Sequence, residues 1–268
     1  MSLVTRRAVA EEFAVDTATA RIERDDTRRN AFTLFLDGVE SSHVDLDDPT
    51  YLVFEYMQWF GGVIDCLRPP GAPIDTAHVG GAGVTLARFI AATRPRSRQT
   101  VFEIDAALVA LVREKLPLPK SRLLRIRVGD ARLGLASLPT SSVDLVVRDA
   151  FLDAKVPEHL RTVEFALLAK EIMRPGGAYM MNVADGAPFR KLGPDVAAVA
   201  EVFAELAVIS EPPVFRGRRH GNLVVLASDS PLPVEAIAAK VAAGAAPARV
   251  RAGGEARAMG RGHRPPRD

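Results

Sequence analysis

The feature that most constrains the fold is an alternation of apolar and helical segments that runs from residue 74 to residue 227. Six apolar segments are separated by five segments with helical spacing, and a seventh follows the sixth without a helix between them. Repeated βα units form a parallel sheet covered on both faces, whereas strands joined by a short connection are antiparallel. We therefore predict an α/β, Rossmann-like fold with a mostly parallel seven-stranded sheet and a terminal antiparallel hairpin. The predicted strands are 74–79, 99–104, 123–128, 143–148, 178–183, 206–210 and 222–227.

A segment with a different pattern precedes this alternation. Residues 20–24 and 31–36 have the composition of strands and flank a polar turn, and Asp37-Gly38 is a strong hairpin signal. Residues 39–46 then supply a third strand. We expect a small antiparallel sheet ahead of the main fold.

A glycine-rich turn follows the first predicted strand of the main sheet. Gly80, Gly81 and Gly83 allow the backbone to bend sharply and to approach a ligand, and the next helix points its free N–H groups at the same place. Such a turn is common in βα units and is weak evidence by itself. The following strand, however, ends in Glu103 and Asp105 about twenty residues on, where a Rossmann-type fold places a carboxylate on a ribose hydroxyl.

Acids also stand at the ends of the third and fourth strands, as Asp130 and Asp149. The carboxyl ends of parallel strands share one edge of the sheet, which is where open α/β folds bind ligands. We expect Glu103 to accept hydrogen bonds from ribose hydroxyls, and Asp105 is counted with the ligand-binding residues. Asp130 and the N–H of Ala131 would contact an adenine. Asp149 would lie nearest the reacting end.

Composition argues against several functional classes. The hydrophobic and charged contents of 48% and 25% are those of a globular protein, and no apolar run is long enough to span a membrane. The net charge is only +2, without interleaved basic and aromatic residues, so we expect no nucleic-acid partner. Cys66 is the single cysteine, which leaves no disulfide framework, and we expect no metal site. We expect a cytoplasmic protein with small-molecule ligands.

Taken in order, these motifs resemble those of the spermidine synthase-like (polyamine aminopropyltransferase) family, within the class I S-adenosylmethionine-dependent methyltransferase fold. The resemblance covers most of residues 19–230. It rests on Asp37-Gly38, the glycine turn over 80–83, Phe102-Glu103-Ile104-Asp105, Val128-Gly129-Asp130-Ala131 and Val146-Val147-Arg148-Asp149.

The resemblance implies a transferase that moves an aminopropyl group from decarboxylated S-adenosylmethionine to a diamine such as putrescine, and it implies a possible homodimer. Glu103 takes the ribose role, Asp130 the adenine role, and Asp149 accepts the proton of the attacking amine. Other acids would hold the distal ammonium group, with Asp153 and Glu55 as candidates.

Three departures from the family pattern affect the amine side of the site. Ala82 stands where the family's glycine turn usually carries an aspartate, and Ser41, a further substrate-binding candidate, stands where a glutamine usually follows the Asp-Gly turn. The second acid after Asp149 is displaced by one residue, to Asp153, and the proline after it is missing. The nucleoside half of the site is therefore expected to be retained and the amine half altered.

Two other functions remain open from the sequence. A methyltransferase that uses intact S-adenosylmethionine is favoured by Ala82, because the loss of an aspartate removes repulsion toward the donor's carboxylate. A nucleoside-binding homologue without turnover is the third possibility.

The predicted organisation has three parts. Residues 1–50 form a small β domain and residues 51–230 a nucleoside-binding catalytic domain. Residues 231–268 form a weak helix (233–242) followed by a disordered basic tail from 244 onward, because that composition offers too little apolar surface to offset its ordering entropy.

Overall fold

The computed structural model describes residues 11–152 and 155–268, which form two β-sheets and the helices packed on them. Asp37 and Gly38 both have positive φ, of 48° and 79°, so the predicted hairpin turn is present and joins the third strand to the fourth. The first sheet is antiparallel, in the order β1-β2-β3-β4, with β1 (Glu12–Ala14), β2 (Thr19–Arg24), β3 (Ala31–Leu36) and β4 (Val39–Asp45). It confirms the predicted N-terminal sheet and adds β1 to it.

The second sheet has the order β12-β10-β11-β9-β8-β5-β6-β7. Its strands are β5 (Thr76–Val79), β6 (Gln99–Glu103), β7 (Leu124–Val128), β8 (Val143–Arg148), β9 (Met173–Asp185), β10 (Glu205–Ser210), β11 (Gly221–Ser228) and β12 (Arg249–Ala252). Strands β5 to β9 pair in parallel, while β11 is antiparallel to both β9 and β10. The predicted fold class is confirmed, but the strand count is corrected from seven to eight because β12 pairs with β10.

Helices cover both faces of the second sheet, as the alternation predicts. One face packs against α1, α2 and α8, and the other against α4, α5 and α6. The helices are α1 (Glu55–Leu67), α2 (Thr85–Thr93), α3 (Ala106–Lys115), α4 (Ala131–Ala136), α5 (Val163–Ile172), α6 (Leu192–Val202), α7 (Pro212–Phe215), α8 (Val234–Ala243) and α9 (Gly254–Ala258). Within the described residues, none of these helices has the length and apolarity needed to cross a membrane.

The direction of the strand order reverses between β5 and β8, and this switch point creates the cleft at the carboxyl edge of the sheet. The N–H of Asp149 donates to the carbonyl of Val79 at 3.0 Å, so the chain after β8 continues to pair with β5. A Cβ at Gly80 would lie 2.7 Å from both the Cα of Ala150 and the carbonyl oxygen of Asp149. Only glycine therefore allows the two strand ends to approach this closely.

The C-terminal segment corrects a prediction, because residues expected to be disordered form β12 and α9. Arg257 donates hydrogen bonds to the carbonyls of Ala200, Phe203 and Ala204, and the carbonyl of Pro266 accepts from the N–H of Val163 at 3.0 Å. The segment has little apolar surface of its own. Its order comes from backbone pairing with β10 and from arginine contacts with helix ends, neither of which is visible in composition.

Candidate active site

Asp149 lies at the centre of the cleft, immediately after β8. Its Oδ2 accepts a hydrogen bond from the hydroxyl of Tyr56 and its Oδ1 accepts one from the side-chain amide of Asn182, both at 3.2 Å. Tyr56 comes from the first turn of α1 and Asn182 from the C-terminal part of β9. Side chains from two different elements, α1 and β9, therefore converge on the carboxylate that follows β8.

Burial controls the proton affinity of this carboxylate. It raises the pKa of Asp149 from 3.8 to about 6, although the hydrogen bonds from Asn182 and Tyr56 and the charge of Arg148 act in the opposite direction. Burial, together with the negative charge of Asp149, also raises the pKa of Tyr56 well above its usual value, so its hydroxyl remains a donor. The result is a carboxylate of unusually high basicity that is ionised at neutral pH.

A buried ion-pair network supports the strand that carries Asp149. The Arg148 guanidinium donates to Asp195 Oδ2 at 2.5 Å and to the carbonyl of Leu160 at 3.0 Å. Arg161 donates to the other carboxylate oxygen of Asp195 at 2.7 Å. Arg148 is only 1% exposed, so this pairing compensates a buried charge directly behind the site.

The glycine turn contributes to the cleft through Gly80 and Gly81, whereas Gly83 is engaged elsewhere. The N–H of Gly83 donates to Ser42 Oγ of β4 at 3.0 Å, and its carbonyl accepts from Arg88 Nε at 3.0 Å. A Cβ at this position would lie 2.8 Å from the Cβ of Ser42. Gly83 thus provides room and hydrogen bonds for the first sheet, and its contact with a ligand stays a prediction.

Glu103 and Asp105 have different surroundings, although they are two residues apart. Glu103 Oε2 accepts from the N–H groups of Gly81 and Ala82 at 3.2 and 3.3 Å, and burial raises the pKa of Glu103. Asp105 is fully buried, caps α3 through the N–H of Leu108, and accepts hydrogen bonds from Thr17. Asp105 therefore has a structural role that ties the first sheet to α3, and its contact with a ligand stays a prediction.

Asp130 lies at the start of α4, with Ala131 as the first helical residue. Its Oδ1 accepts from the N–H of Leu133 at 3.0 Å, and its Oδ2 lies 2.8 Å from His159 Nε2. These partners outweigh the effect of partial burial and hold the pKa of Asp130 below its usual range. Ile104 is 56% exposed, an unusual position for an isoleucine at the end of a central strand.

The three candidates for amine binding have different environments. Glu55 is the residue before Tyr56 in α1, and its Oε1 accepts a hydrogen bond from the side-chain amide of Asn222 at 3.0 Å. The hydroxyl of Ser41 donates to the carbonyl of Val39 within the hairpin, so it is Ser42 and not Ser41 that contacts the glycine turn. Asp153 lies outside the described residues.

One solved structure resembles the whole chain. The crystal structure of a probable spermidine synthase from Corynebacterium glutamicum ATCC 13032 has a TM-score of 0.88 and 31% sequence identity, over 97% of this chain and 97% of that one. The chain belongs to the spermidine synthase-like family. The family resemblance predicted from the motifs is thereby confirmed.

Two other comparisons have lower similarity, one with a curated relative and one that shows the fold alone. The chain is 26% identical to a polyamine aminopropyltransferase from Vibrio vulnificus (strain CMCP6) over 157 residues, which are 58% of this chain and 50% of that curated relative. The match thus spans about half of the relative's length. Human methyltransferase-like protein 13, solved in complex with SAH, shares the fold at a TM-score of 0.56 and 21% identity, covering 68% of this chain and 85% of that one. No protein-family model matches the chain.

Four residues that contact the predicted site residues are missing from the predicted site: Tyr56, Asn182, Ser42 and His159. The helical spacing of α1 indicates that Tyr56 is a core aromatic, which is true of its ring but not of its hydroxyl. Asn182 interrupts the apolar run of β9, and a polar residue within a central strand is a usable signal. The positions of Ser42 and His159 depend on long-range packing and have no local signal.

Proposed function

We propose that the protein transfers an aminopropyl group from decarboxylated S-adenosylmethionine to a diamine such as putrescine. The observation that carries this proposal is the Asp149 carboxylate, with its raised pKa of about 6, held by Tyr56 and Asn182 beside the glycine turn. Membership in the spermidine synthase-like family and the likeness to a polyamine aminopropyltransferase support it.

The chemistry requires an amine that has lost its proton. An alkyl ammonium has a pKa of roughly 10, so a nearby base must remove a proton before the nitrogen can attack. The nitrogen lone pair then forms a bond to the carbon next to the sulfonium, the carbon–sulfur bond breaks, and its electron pair neutralises the sulfur of the departing methylthioadenosine. Asp149 accepts the proton, and its burial makes it a stronger base than an exposed carboxylate.

Glu103 and Asp130 are proposed to hold the donor. Glu103 already accepts hydrogen bonds from two amides of the glycine turn and would accept further ones from ribose hydroxyls. Asp130 would accept from the adenine amine in competition with His159, its present partner. Ile104, which follows Glu103 and is exposed, would cover the apolar face of the base.

The far ammonium group of the acceptor is proposed to bind Glu55. Its carboxylate carries one hydrogen bond, from Asn222, and an ionised carboxylate has room for several more. The Oδ1 of Asn182 is buried and has no partner within the described part of the chain, so it can also accept from an ammonium group. Ser41 and Asp153 remain candidates for this half of the site.

Methyl transfer from intact S-adenosylmethionine is the second candidate, and one observation favours it. Arg88 is 3% exposed and donates to the carbonyls of Gly83, Leu116 and Pro117. Burial lowers the pKa of Arg88 to about 10, so the side chain is still a cation at neutral pH. It lies behind the glycine turn and has no carboxylate partner among the described residues. With Ala82 in place of the family's aspartate, this positive charge suits a donor that keeps its carboxylate.

Thermal unfolding with separate ligands tests the donor. At a concentration of about one hundred times its dissociation constant, a ligand stabilises the folded state by about 2.7 kcal/mol. We expect decarboxylated S-adenosylmethionine and methylthioadenosine to raise the melting temperature of both the wild type and Asp149→Asn. Stabilisation by S-adenosylmethionine alone would support methyl transfer, and no shift with any of the three would reject both reactions.

We also propose a cytoplasmic enzyme that works on small molecules without a nucleic-acid partner. Size-exclusion chromatography with light scattering would test the homodimer that the family resemblance implies.

A further inference from the structure

A small cavity lies beneath the glycine turn, close to the Asp149 carboxylate. Its volume is about 20 Å³, which is enough for one water molecule. The polar side chains in its lining are His78, Thr85 and Asp149, and the others are apolar or glycine. His78 pairs in register with Val147, so its side chain lies on the same face of the sheet as that of Asp149 two residues further on.

The hydrogen bonds of His78 define its tautomer. The side-chain amide of Gln99 donates to the carbonyl of Ala87 at 3.0 Å, so its oxygen is the atom that lies 3.0 Å from His78 Nε2. An amide oxygen can only accept, so Nε2 carries the proton and Nδ1 is an acceptor. Burial lowers the pKa of His78 to about 4, so the ring is neutral at pH 7.

The cavity is therefore lined by two side chains that can accept a hydrogen bond, His78 through Nδ1 of its neutral imidazole and Asp149 through its ionised carboxylate. They cannot bond to each other, but a water molecule has two O–H donors and can bond to both. We infer that His78 is a positioning residue that holds a water molecule in this cavity against the Asp149 carboxylate. The inference rests on the proposed function for the role of Asp149.

The water would give Asp149 another donor besides Tyr56 and Asn182, and so favour the ionised base. The charged or titratable groups around Asp149 are Tyr56 and Glu55 of α1 and Arg148 of β8. Around His78, β6 offers the uncharged Gln99, and the Arg88 guanidinium of α2 is bonded to backbone carbonyls.

Three substitutions separate this role from simple packing. His78→Leu removes the acceptor, His78→Gln places an amide near Gln99, and His78→Asn puts an amide oxygen where Nδ1 was. The readout is the titration of Asp149 in the ligand-free protein, followed by NMR of ¹³C-carboxyl-labelled aspartate and assigned with Asp149→Asn. We expect the midpoint to rise by about one pH unit in the Leu and Gln variants, because the carboxylate loses a hydrogen bond, and to stay near the wild-type value in the Asn variant.

Equal midpoints in the wild type and all variants would overturn the inference, as would an Asn variant that shifts as far as the Gln variant. If His78→Leu does not fold, the Asn and Gln pair still decides the question. The NMR titration needs no turnover, so an enzyme without aminopropyl transfer would refute the proposed function and leave this test valid. In an active enzyme, the acid limb of kcat/KM should move with the NMR midpoint.

Discussion

At the scale of single residues, the candidate site is centred on one carboxylate that is removed from water but not neutralised. Asp149 has a raised pKa because burial outweighs the donors Tyr56 and Asn182 and the positive charge of Arg148. The sequence alone indicated Asp149 as a candidate, because an acid after a central strand is a recognisable position, and its catalytic role stays a prediction. The sequence did not distinguish Asp105, which has the same kind of position and instead caps α3. That difference depends on long-range burial.

Replacing the base should abolish activity and increase stability. The folded state holds the proton of Asp149 up to a pH of about 6, against 3.8 for a free side chain, so the wild type loses stability as the pH rises through this window. We expect Asp149→Asn to abolish turnover and to raise the free energy of unfolding by up to about 3 kcal/mol at pH 8. Urea unfolding of both proteins at pH 8 and pH 4 measures the difference in their free energies of unfolding. A gain that does not shrink toward pH 4 would contradict the assignment.

The effect of the Tyr56 hydroxyl on the basicity of Asp149 should be measurable through the pH dependence of kcat/KM. Tyr56→Phe removes a hydrogen bond to the ionised Asp149, and we expect the acid limb of kcat/KM to move from about pH 6 to higher pH by about one unit. Tyr51→Phe is the matched control, because Tyr51 is 42% exposed and stacks on Arg28 away from the site. A similar shift in both variants would show that Tyr56 does not set the basicity of Asp149.

At the scale of elements, the glycine turn is held between two sheets. β4 contacts it through Ser42 Oγ and through the His43 carbonyl, which accepts from Thr85 at 2.8 Å. On the other side, Glu103 of β6 accepts from the turn's amides. The sequence predicted the turn and the sheet separately, but their contact joins backbone and side-chain groups of residues about forty positions apart and has no local pattern.

A methyl group at position 83 should disturb this contact. The new Cβ of Gly83→Ala would lie 2.8 Å from the Cβ of Ser42 and 3.1 Å from Val44, so the first sheet must shift. We expect a loss of about 1–3 kcal/mol in unfolding free energy, together with weaker donor binding, measured by urea unfolding and calorimetry. Gly254→Ala is the control, because nothing lies within 4 Å of the position that its methyl group would occupy. Equal stabilities for the two variants would contradict this packing.

At the scale of the whole molecule, the order of elements was predictable and the closing edge of the sheet was not. The strand predicted over 143–148 matches β8, because apolar residues between turn signals encode it locally. β12 has the sequence Arg-Val-Arg-Ala, and its position depends on the free edge of β10. The Arg257 side chain then fixes α9 to the end of α6. Composition alone does not reveal a segment whose partners are all distant in the chain.

Hydrogen exchange tests whether this C-terminal segment is ordered in solution. We expect the amides of β12 that pair with β10 to exchange much more slowly than those of an unstructured peptide, because opening them requires the edge of the sheet to separate. Arg257→Ala should accelerate that exchange, while Arg264→Ala serves as the control. Exchange of β12 at the rate of an unstructured peptide would restore the prediction of a disordered tail.

Aminopropyl transfer by Asp149 is tested by identifying the reaction products with mass spectrometry. The protein is incubated at pH 8 with decarboxylated S-adenosylmethionine and putrescine, and in parallel with S-adenosylmethionine and putrescine, with Asp149→Asn as the inactive control. We predict that methylthioadenosine and an aminopropylated diamine accumulate in equal amounts in the first reaction only. S-adenosylhomocysteine and a methylated amine from the second reaction, or products formed equally by Asp149→Asn, would contradict aminopropyl transfer with Asp149 as its base.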